Sequence, residues 1–165
     1  SLGAKVLNDN LPLALAKLDA KPAQITHQVG RAAIEPIVAA YQANLVKNVQ
    51  VVNFIDDMAA AYANADLIIC RAGASTVAEV AAAGIAAIFV PYPYAVDDHQ
   101  TTNTRQLVAA GAAILLPQAE LNPAKLAELI SGLNYTICQN MGEKARSLAI
   151  LDSTQQICQQ IIEQL

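Results

Sequence analysis

The stretch at residues 66–84, DLIICRAGASTVAEVAAAG, constrains the fold more than any other part of the chain. It begins with a short apolar run, continues through a small-residue turn at residues 71–74, and becomes Ala-rich and helical from Ser75 to Gly84. A buried parallel strand needs apolar residues on both faces, and the turn into the following helix needs small ones. The stretch therefore predicts a strand, a loop and a helix, which together are half of a βαβ unit.

The turn between this strand and this helix suits an anionic ligand, most plausibly a phosphate. Around Gly73 and Ala74 the backbone N–H groups lie at the positive end of the helix dipole and lack partners within the helix. Glu79 follows Ser75 by four residues, so it shares that helix face one turn deeper, where it can bind a sugar diol. In the alternative interpretation, Ser75 or Thr76 caps the helix and Glu79 completes a capping box.

Composition excludes several classes of protein. A length of 165 residues suits one domain with a proper core. The net charge of -4, without a basic tract, argues against nucleic-acid binding and against a polybasic membrane anchor. The sequence holds no apolar run of about 18 residues, so we expect no membrane insertion. The three cysteines lack CxxC spacing and are expected to be buried apolar side chains in a reducing compartment: Cys70, Cys138 and Cys158.

Short apolar runs alternate with helical patterns along the first two thirds of the chain. Strands are predicted at 25–28, 49–54, 66–70, 86–90 and 113–116, and helices at 5–18, 31–43, 57–65, 75–84 and 99–110. Pro12 should kink or restart the first helix. A helical tail follows from about residue 122, with helices at 123–133, 137–148 and 153–164. The pattern predicts one α/β domain over 1–165, a Rossmann-like, doubly wound parallel sheet with helices on both faces.

The first residues, Ser1 to Ala4, read as a loop that enters a helix directly. In an α/β protein such a loop normally follows a strand. We therefore expect a preceding strand, and we expect the chain to be a fragment whose first strand is truncated.

Ligands of doubly wound sheets bind outside the carboxyl ends of the strands, so the residues there are candidates. Phe54 could stack on a base while the Ile55 backbone reads its edge, although a core role for Phe54 is the commoner one. His99 and Gln100 could bind hydroxyl groups of a polyhydroxylated ligand. Arg71 could pair with a diphosphate or with Glu79.

Acidic pairs at Asp56-Asp57 and Asp97-Asp98 could suggest a metal. Each pair precedes a predicted helix, where Asp is a preferred cap, so capping is favoured and no metal is expected. His27 is expected to order its turn rather than to catalyse.

Five segments together resemble one enzyme family: HQVG at 27–30, FIDDMAAAYANAD at 54–66, CRAGASTVAEVAAAG at 70–84, FVPYPYAVDDHQTTNT at 89–104 and AAG at 109–111. They are similar to the carboxy-terminal half of the bacterial peptidoglycan N-acetylglucosaminyltransferases. Those are inverting GT-B enzymes, which transfer N-acetylglucosamine from UDP-N-acetylglucosamine to lipid I and so form lipid II. The opening Ser1 to Ala4 resembles the end of the family's glycine-rich loop.

The resemblance implies a role for each matching residue. Uracil packs on Phe54 and is read by the Ile55 backbone, while Glu79 takes the ribose hydroxyls. The N-acetylglucosamine hydroxyls bind to His99 and Gln100. A phosphate binds to Ser1, although Leu2 stands where the family usually has Gln. The diphosphate is held by the loop after the third strand and the helix that follows it: Arg71, Gly73, Ala74, Ser75 and Thr76.

The resemblance also implies no cofactor and no metal, since backbone dipoles and Arg71 stabilise the leaving diphosphate. The general base and the surface that meets the membrane and lipid I belong to the family's amino-terminal domain. We therefore expect no catalytic residue here, a chain that binds UDP-N-acetylglucosamine without catalysing transfer, and a cytoplasmic full-length enzyme peripheral on the inner membrane. The alternatives are another GT-B glycosyltransferase, a UDP-sugar epimerase domain, or a non-catalytic nucleotide-binding or interaction module that docks through its Ala-rich helices.

Overall fold

A computed structural model describes residues 5–94 and 99–164 of the chain. Within these ranges strands and helices alternate and are followed by further helices. The strands are β1 (Ile25–Gln28), β2 (Val49–Val52), β3 (Leu67–Cys70), β4 (Ala86–Phe89) and β5 (Ala113–Leu115). The helices are α1 (Lys5–Ala16), α2 (Ile34–Ala43), α3 (Met58–Ala63), α4 (Ala74–Ala83), α5 (His99–Ala109), α6 (Pro123–Ser131), α7 (Tyr135–Ser147) and α8 (Ser153–Glu163).

All strand pairs are parallel, as the alternation of strands and helices predicts. The described strands form two hydrogen-bonded groups rather than one continuous sheet: β1 with β2, and β3-β4-β5. In the second group β4 is central and pairs with β3 on one side and with β5 on the other.

Every residue of β4 is buried, because helices cover both of its faces. Ala87 and Phe89 join the apolar cluster that includes residues of α4, α5 and α7. Ile88, one residue out of phase with them, joins the cluster that includes residues of α1, α2 and α6. Successive side chains of a strand point to opposite faces, so these two clusters are the two layers of a doubly wound domain.

Two helices of the carboxy-terminal tail are packed onto this body. α6 packs on α1 and buries Leu126 and Ala127, whereas α7 packs on α4 and buries Met141 and Ala145. No residue of α8 is buried. No helix within 5–94 and 99–164 combines the length and the apolar character that crossing a membrane requires.

One of the two outcomes expected at Pro12 does not occur, and the expected burial of the cysteines is wrong in detail. Pro12 does not restart the first helix, because α1 continues through it. Proline has no backbone N–H, so Pro12 cannot donate the helical hydrogen bond to the carbonyl of Asn8. The ring of Pro12 is fully buried, and its packing offsets the loss of that hydrogen bond. The cysteines are free: Cys138 is buried as expected, but Cys70 is only half-buried and Cys158 on α8 is exposed. Burial does raise the pKa of Cys70, to about 12.

Candidate functional site

The loop between β3 and α4 opens the helix on a glycine. Gly73 is the N-cap, with φ -62° and ψ 148°, and the first helical hydrogen bond runs from Val77 N–H to the Gly73 carbonyl at 2.9 Å. Ser75 and Thr76 lie inside the first turn, so the interpretation that either of them caps the helix in a capping box with Glu79 is wrong. A glycine has no side chain with which to bond the first-turn amides, and this leaves them suited to an anion.

Ala74 and Ser75 are exposed, and Thr76 is half-buried at the same helix start. The opposite side of α4 buries Val77 and Val80 in the core, which fixes the orientation of the helix. The first turn therefore presents its amides to solvent at the carboxyl edge of β3. This edge is where doubly wound proteins bind their ligands.

Glu79 is exposed on α4 and does not turn into the core. Its carboxylate oxygen Oε2 accepts a hydrogen bond of 2.9 Å from the hydroxyl of Tyr62, which lies on α3. Nothing in the sequence pattern marks Tyr62 as a site residue. Since its partner is 17 residues away on another helix, no spacing pattern in the sequence points to it.

Phe54 follows β2 and is 68% exposed, so the interpretation of this residue as part of the core is wrong. An exposed aromatic ring at the end of a strand is available to stack on a flat ligand. The next residue, Ile55, donates its backbone N–H to Oε1 of Gln28, at the end of β1, over 3.1 Å. The N–H that was expected to read a base edge is thus held by a side chain that the sequence did not single out.

Arg71 directly follows β3 and contacts residues that follow the neighbouring strands. Its guanidinium donates to the carbonyls of Val90 and Pro91, each at 3.0 Å, and to Oε1 of Gln118 at 2.7 Å. It also lies over the ring of Tyr92, 5.5 Å from the ring centroid. These contacts give Arg71 a structural role in the loop, and its contact with a diphosphate stays a prediction.

The start of α5 meets the same loops. Gln100 accepts a hydrogen bond of 2.9 Å from the Tyr92 backbone N–H through its Oε1, and Asn103 donates to the Ala72 carbonyl over 3.1 Å. His99 is exposed at the first residue of α5. The structure thus brings Arg71, Gln100 and the β3–α4 loop together. The predictions for Ser1 and for the pair at 97–98 lie outside the described residues.

His27 is buried and orders its surroundings, as expected. Its Nε2 lies 3.0 Å from Asn8 Oδ1, and its Nδ1 lies 2.9 Å from the Tyr41 hydroxyl. An amide oxygen only accepts, so Nε2 carries the proton and Nδ1 accepts from Tyr41. Burial lowers the pKa of His27, which keeps the ring neutral. The network joins α1, β1 and α2.

The prediction that Asp57 caps a helix is confirmed: its Oδ1 accepts from the Ala60 N–H over 2.9 Å at the start of α3. In the described parts of the chain, no group of three acidic, histidine or cysteine side chains is arranged so that it could hold a metal ion. A separate concavity, lined in part by Asp66, Gly84 and Cys138, lies at the amino ends of β3 and β4. Ligands of this fold bind at the opposite edge, so we assign it no role.

The parallel, doubly wound architecture and the position of the site define a Rossmann-like domain whose ligand edge is built from the loops after β2, β3 and β4. The Glycosyltransferase family 28 C-terminal domain matches residues 1–164. The chain belongs to this family.

Similar proteins carry a common name. A UDP-N-acetylglucosamine–N-acetylmuramyl-(pentapeptide) pyrophosphoryl-undecaprenol N-acetylglucosamine transferase from Ralstonia nicotianae is 53% identical over 161 residues, which is 95% of this chain and 44% of the relative. The same-named protein of Neisseria meningitidis serogroup B is 51% identical over 164 residues, 98% of this chain and 46% of the relative. The crystal structure of Acinetobacter baumannii MurG matches with a TM-score of 0.91 at 48% identity, covering 98% of this chain and 47% of that one. The chain thus spans less than half the length of these relatives.

Proposed function

We propose that this chain is the donor-binding half of an inverting glycosyltransferase that moves N-acetylglucosamine from UDP-N-acetylglucosamine to lipid I in peptidoglycan synthesis. The observation that carries the proposal is the arrangement on α4. First-turn amides behind a glycine cap lie next to an exposed carboxylate one turn deeper. The names of relatives about half identical over nearly the whole chain support the same donor.

In this proposal the amides of residues 73–76 bind the diphosphate, with Thr76 adding its hydroxyl. Glu79 accepts hydrogen bonds from the two ribose hydroxyls. Phe54 stacks on uracil, and the Ile55 backbone bonds its edge once Gln28 has moved aside. His99 and Gln100 bind hydroxyls of the N-acetylglucosamine.

The transfer itself is a substitution at the anomeric carbon C1. A hydroxyl of the acceptor forms a new bond to C1, the bond from C1 to the diphosphate oxygen breaks, and its electron pair leaves with UDP. The dipole and amides of α4 stabilise the negative charge that develops on the diphosphate. The acceptor's proton goes to a base in the amino-terminal domain, so residues 1–165 bind the donor without turning it over.

We further propose that residues 1–165 fold as one UDP-sugar-binding domain with a helical tail from about residue 122. The packing of α6 on α1 and of α7 on α4 supports this. The acceptor in the relatives' name is attached to undecaprenol, a lipid. The full-length enzyme would then work peripherally on the cytoplasmic face of the inner membrane, reaching lipid I through its amino-terminal domain.

Thermal unfolding with different sugar nucleotides tests the donor. UDP-N-acetylglucosamine at 100 times its dissociation constant should stabilise the chain by about 2.7 kcal/mol, and UDP-glucose and a dTDP-sugar should need higher concentrations for the same effect. A preference for another nucleotide sugar would point to a different GT-B enzyme or an epimerase. No response to any UDP compound would point to an interaction module. Turnover of lipid I by residues 1–165 alone would contradict the assignment of the base to another domain.

A further inference from the structure

The hydrogen bond between Tyr62 and Glu79 joins α3 to α4 beside the proposed ribose site. The hydroxyl of Tyr62 lies 2.9 Å from Glu79 Oε2. The ring of Tyr62 is half-buried against the apolar cluster that contains Val77 and Val80 of α4. Packing therefore fixes the ring, while its hydroxyl reaches the exposed carboxylate.

The direction of this hydrogen bond is settled by the chemistry of its two groups. An ionised carboxylate only accepts, so the phenol is the donor. Burial raises the pKa of Tyr62, and the hydrogen bond to Glu79 and the negative charge of Glu79 raise it further. The hydroxyl therefore keeps its proton throughout the physiological range and can donate it to Glu79.

A held carboxylate is a better ligand than a mobile one. When a ligand fixes an exposed glutamate, the lost side-chain conformational entropy costs about 1–2 kcal/mol of binding free energy. Tyr62 fixes Glu79 in advance through one oxygen, whereas a carboxylate has about four acceptor positions on its two oxygens. The acceptor positions that Tyr62 does not use are sufficient for a pair of neighbouring hydroxyls.

We propose that Tyr62 is a positioning residue for Glu79 and that the pair sets the preference of this site for a ribonucleotide with its 2′ and 3′ hydroxyls. The inference rests on the proposed function, in which Glu79 binds the ribose. The preference for the sugar diol then depends on the hydrogen bond that joins Tyr62 on α3 to Glu79 on α4. Tyr62 acts on the ligand only through Glu79.

Calorimetric titration with UDP and with 2′,3′-dideoxyuridine diphosphate tests the inference in the 165-residue chain. The unaltered chain should prefer UDP by at least about tenfold, the effect of a charge-assisted hydrogen bond. Tyr62→Phe removes only the hydroxyl, and it should weaken UDP about three- to tenfold while leaving the dideoxy compound within about twofold. Tyr135→Phe, an equal change at an exposed tyrosine at the start of α7, should alter neither affinity.

A second variant separates positioning from a general effect on folding. In Glu79→Gln the uncharged amide binds the diol less well, and adding Tyr62→Phe should then cost UDP affinity little more, because the two side chains act as one unit. Equal weakening of both ligands by Tyr62→Phe, or full additivity in the double variant, overturns the inference and leaves the proposed function standing. Failure of the unaltered chain to bind UDP, or equal binding of both ligands by it, removes the role of Glu79 and the inference together.

Discussion

Ile55 and Gln28 are joined by a hydrogen bond from the backbone N–H of Ile55 to the side-chain Oε1 of Gln28, 3.1 Å long. The two residues are 27 positions apart: Gln28 ends β1, and Ile55 lies three residues beyond the end of the parallel neighbour β2. The side-chain carbonyl of Gln28 accepts a hydrogen bond from this N–H in the same way as a carbonyl of a pyrimidine base would. A base that bonds Ile55 must therefore displace Gln28.

Gln28→Ala should bind UDP about two- to fivefold more tightly than the unaltered chain. The variant removes a competing acceptor of an exposed N–H, and a hydrogen bond of this type has a net strength of about 0.5–1 kcal/mol. Calorimetric titration measures the change. Gln50→Ala, at an exposed position on β2, is the control and should leave the affinity unchanged. A weaker affinity for UDP in Gln28→Ala would show that the side chain supports the ligand instead of competing with it.

The two phenylalanines of the chain should behave in opposite ways. Phe54 is 68% exposed, so Phe54→Ala should change the free energy of unfolding by less than about 0.5 kcal/mol. The variant should nevertheless lose about 1–3 kcal/mol of UDP binding, which is the usual contribution of a base stacked on an aromatic ring.

Phe89 is fully buried in β4 and serves as the control. Phe89→Ala should lower the free energy of unfolding by about 3–5 kcal/mol through the cavity that it leaves. Chemical denaturation and UDP titration of both variants give the comparison. If Phe54→Ala unfolded as readily as Phe89→Ala and bound UDP normally, Phe54 would be a structural residue and not a base platform.

The succession of strands and helices could be predicted from the sequence because its signals are local. Apolar runs, glycines such as Gly84 and prolines mark each element within a few residues of where the structure has it. The location of the candidate site at the carboxyl edge follows from the parallel topology alone.

The side-chain partners within the site could not be predicted in the same way. Whether Phe54 is core or surface depends on what covers the end of β2, and no local pattern encodes that. Arg71 donates to carbonyls of residues 19 and 20 positions later, and no spacing in the sequence indicates these contacts. Tyr62 and Gln28 were missed because their partners lie on other elements, and a single hydrogen bond between distant residues leaves no spacing signal.

Gly142→Ala should destabilise the fold strongly. A Cβ at Gly142 would lie 2.1 Å from the carbonyl oxygen of Gly84, a backbone atom at the end of α4 that cannot easily move. We expect the free energy of unfolding to fall by about 1–3 kcal/mol. Gly132→Ala is the matched control, because its nearest neighbour would be 3.5 Å away, and thermal unfolding should find it almost unchanged. Equal stability of the two variants would contradict the close packing of α7 on α4.

Burial of His27 should make stability depend on pH. The folded-state pKa of His27 lies below the unfolded value of about 6.5, so the unfolded chain binds a proton first as the pH falls. The contribution of the neutral ring is fully present above about pH 6.5. It is lost toward lower pH at up to about 1.4 kcal/mol per pH unit.

Denaturation at pH 7.5 and at pH 5.5 measures this dependence. His27→Gln should lose less stability between the two pH values than the unaltered chain does. If His27→Gln kept the same dependence as the unaltered chain, the acid sensitivity would have to come from other groups.

Glu79→Ala should separate the sugar from the phosphates. Loss of the carboxylate should weaken UDP about tenfold or more, the cost of a charge-assisted hydrogen bond, while pyrophosphate, which has no ribose, should bind as before. Titration calorimetry with the two ligands measures both effects. Equal weakening of UDP and pyrophosphate would assign Glu79 a role in folding instead.

Titration of UDP-N-acetylglucosamine into the isotope-labelled chain, followed through backbone amide shifts, tests the donor site most directly. We predict saturable shifts centred on residues 73–76 at the start of α4 and on Ile55, with smaller ones at Tyr62 and Glu79. Shifts centred instead on the concavity beside Asp66 and Gly84, or no shifts at millimolar ligand, would contradict the account.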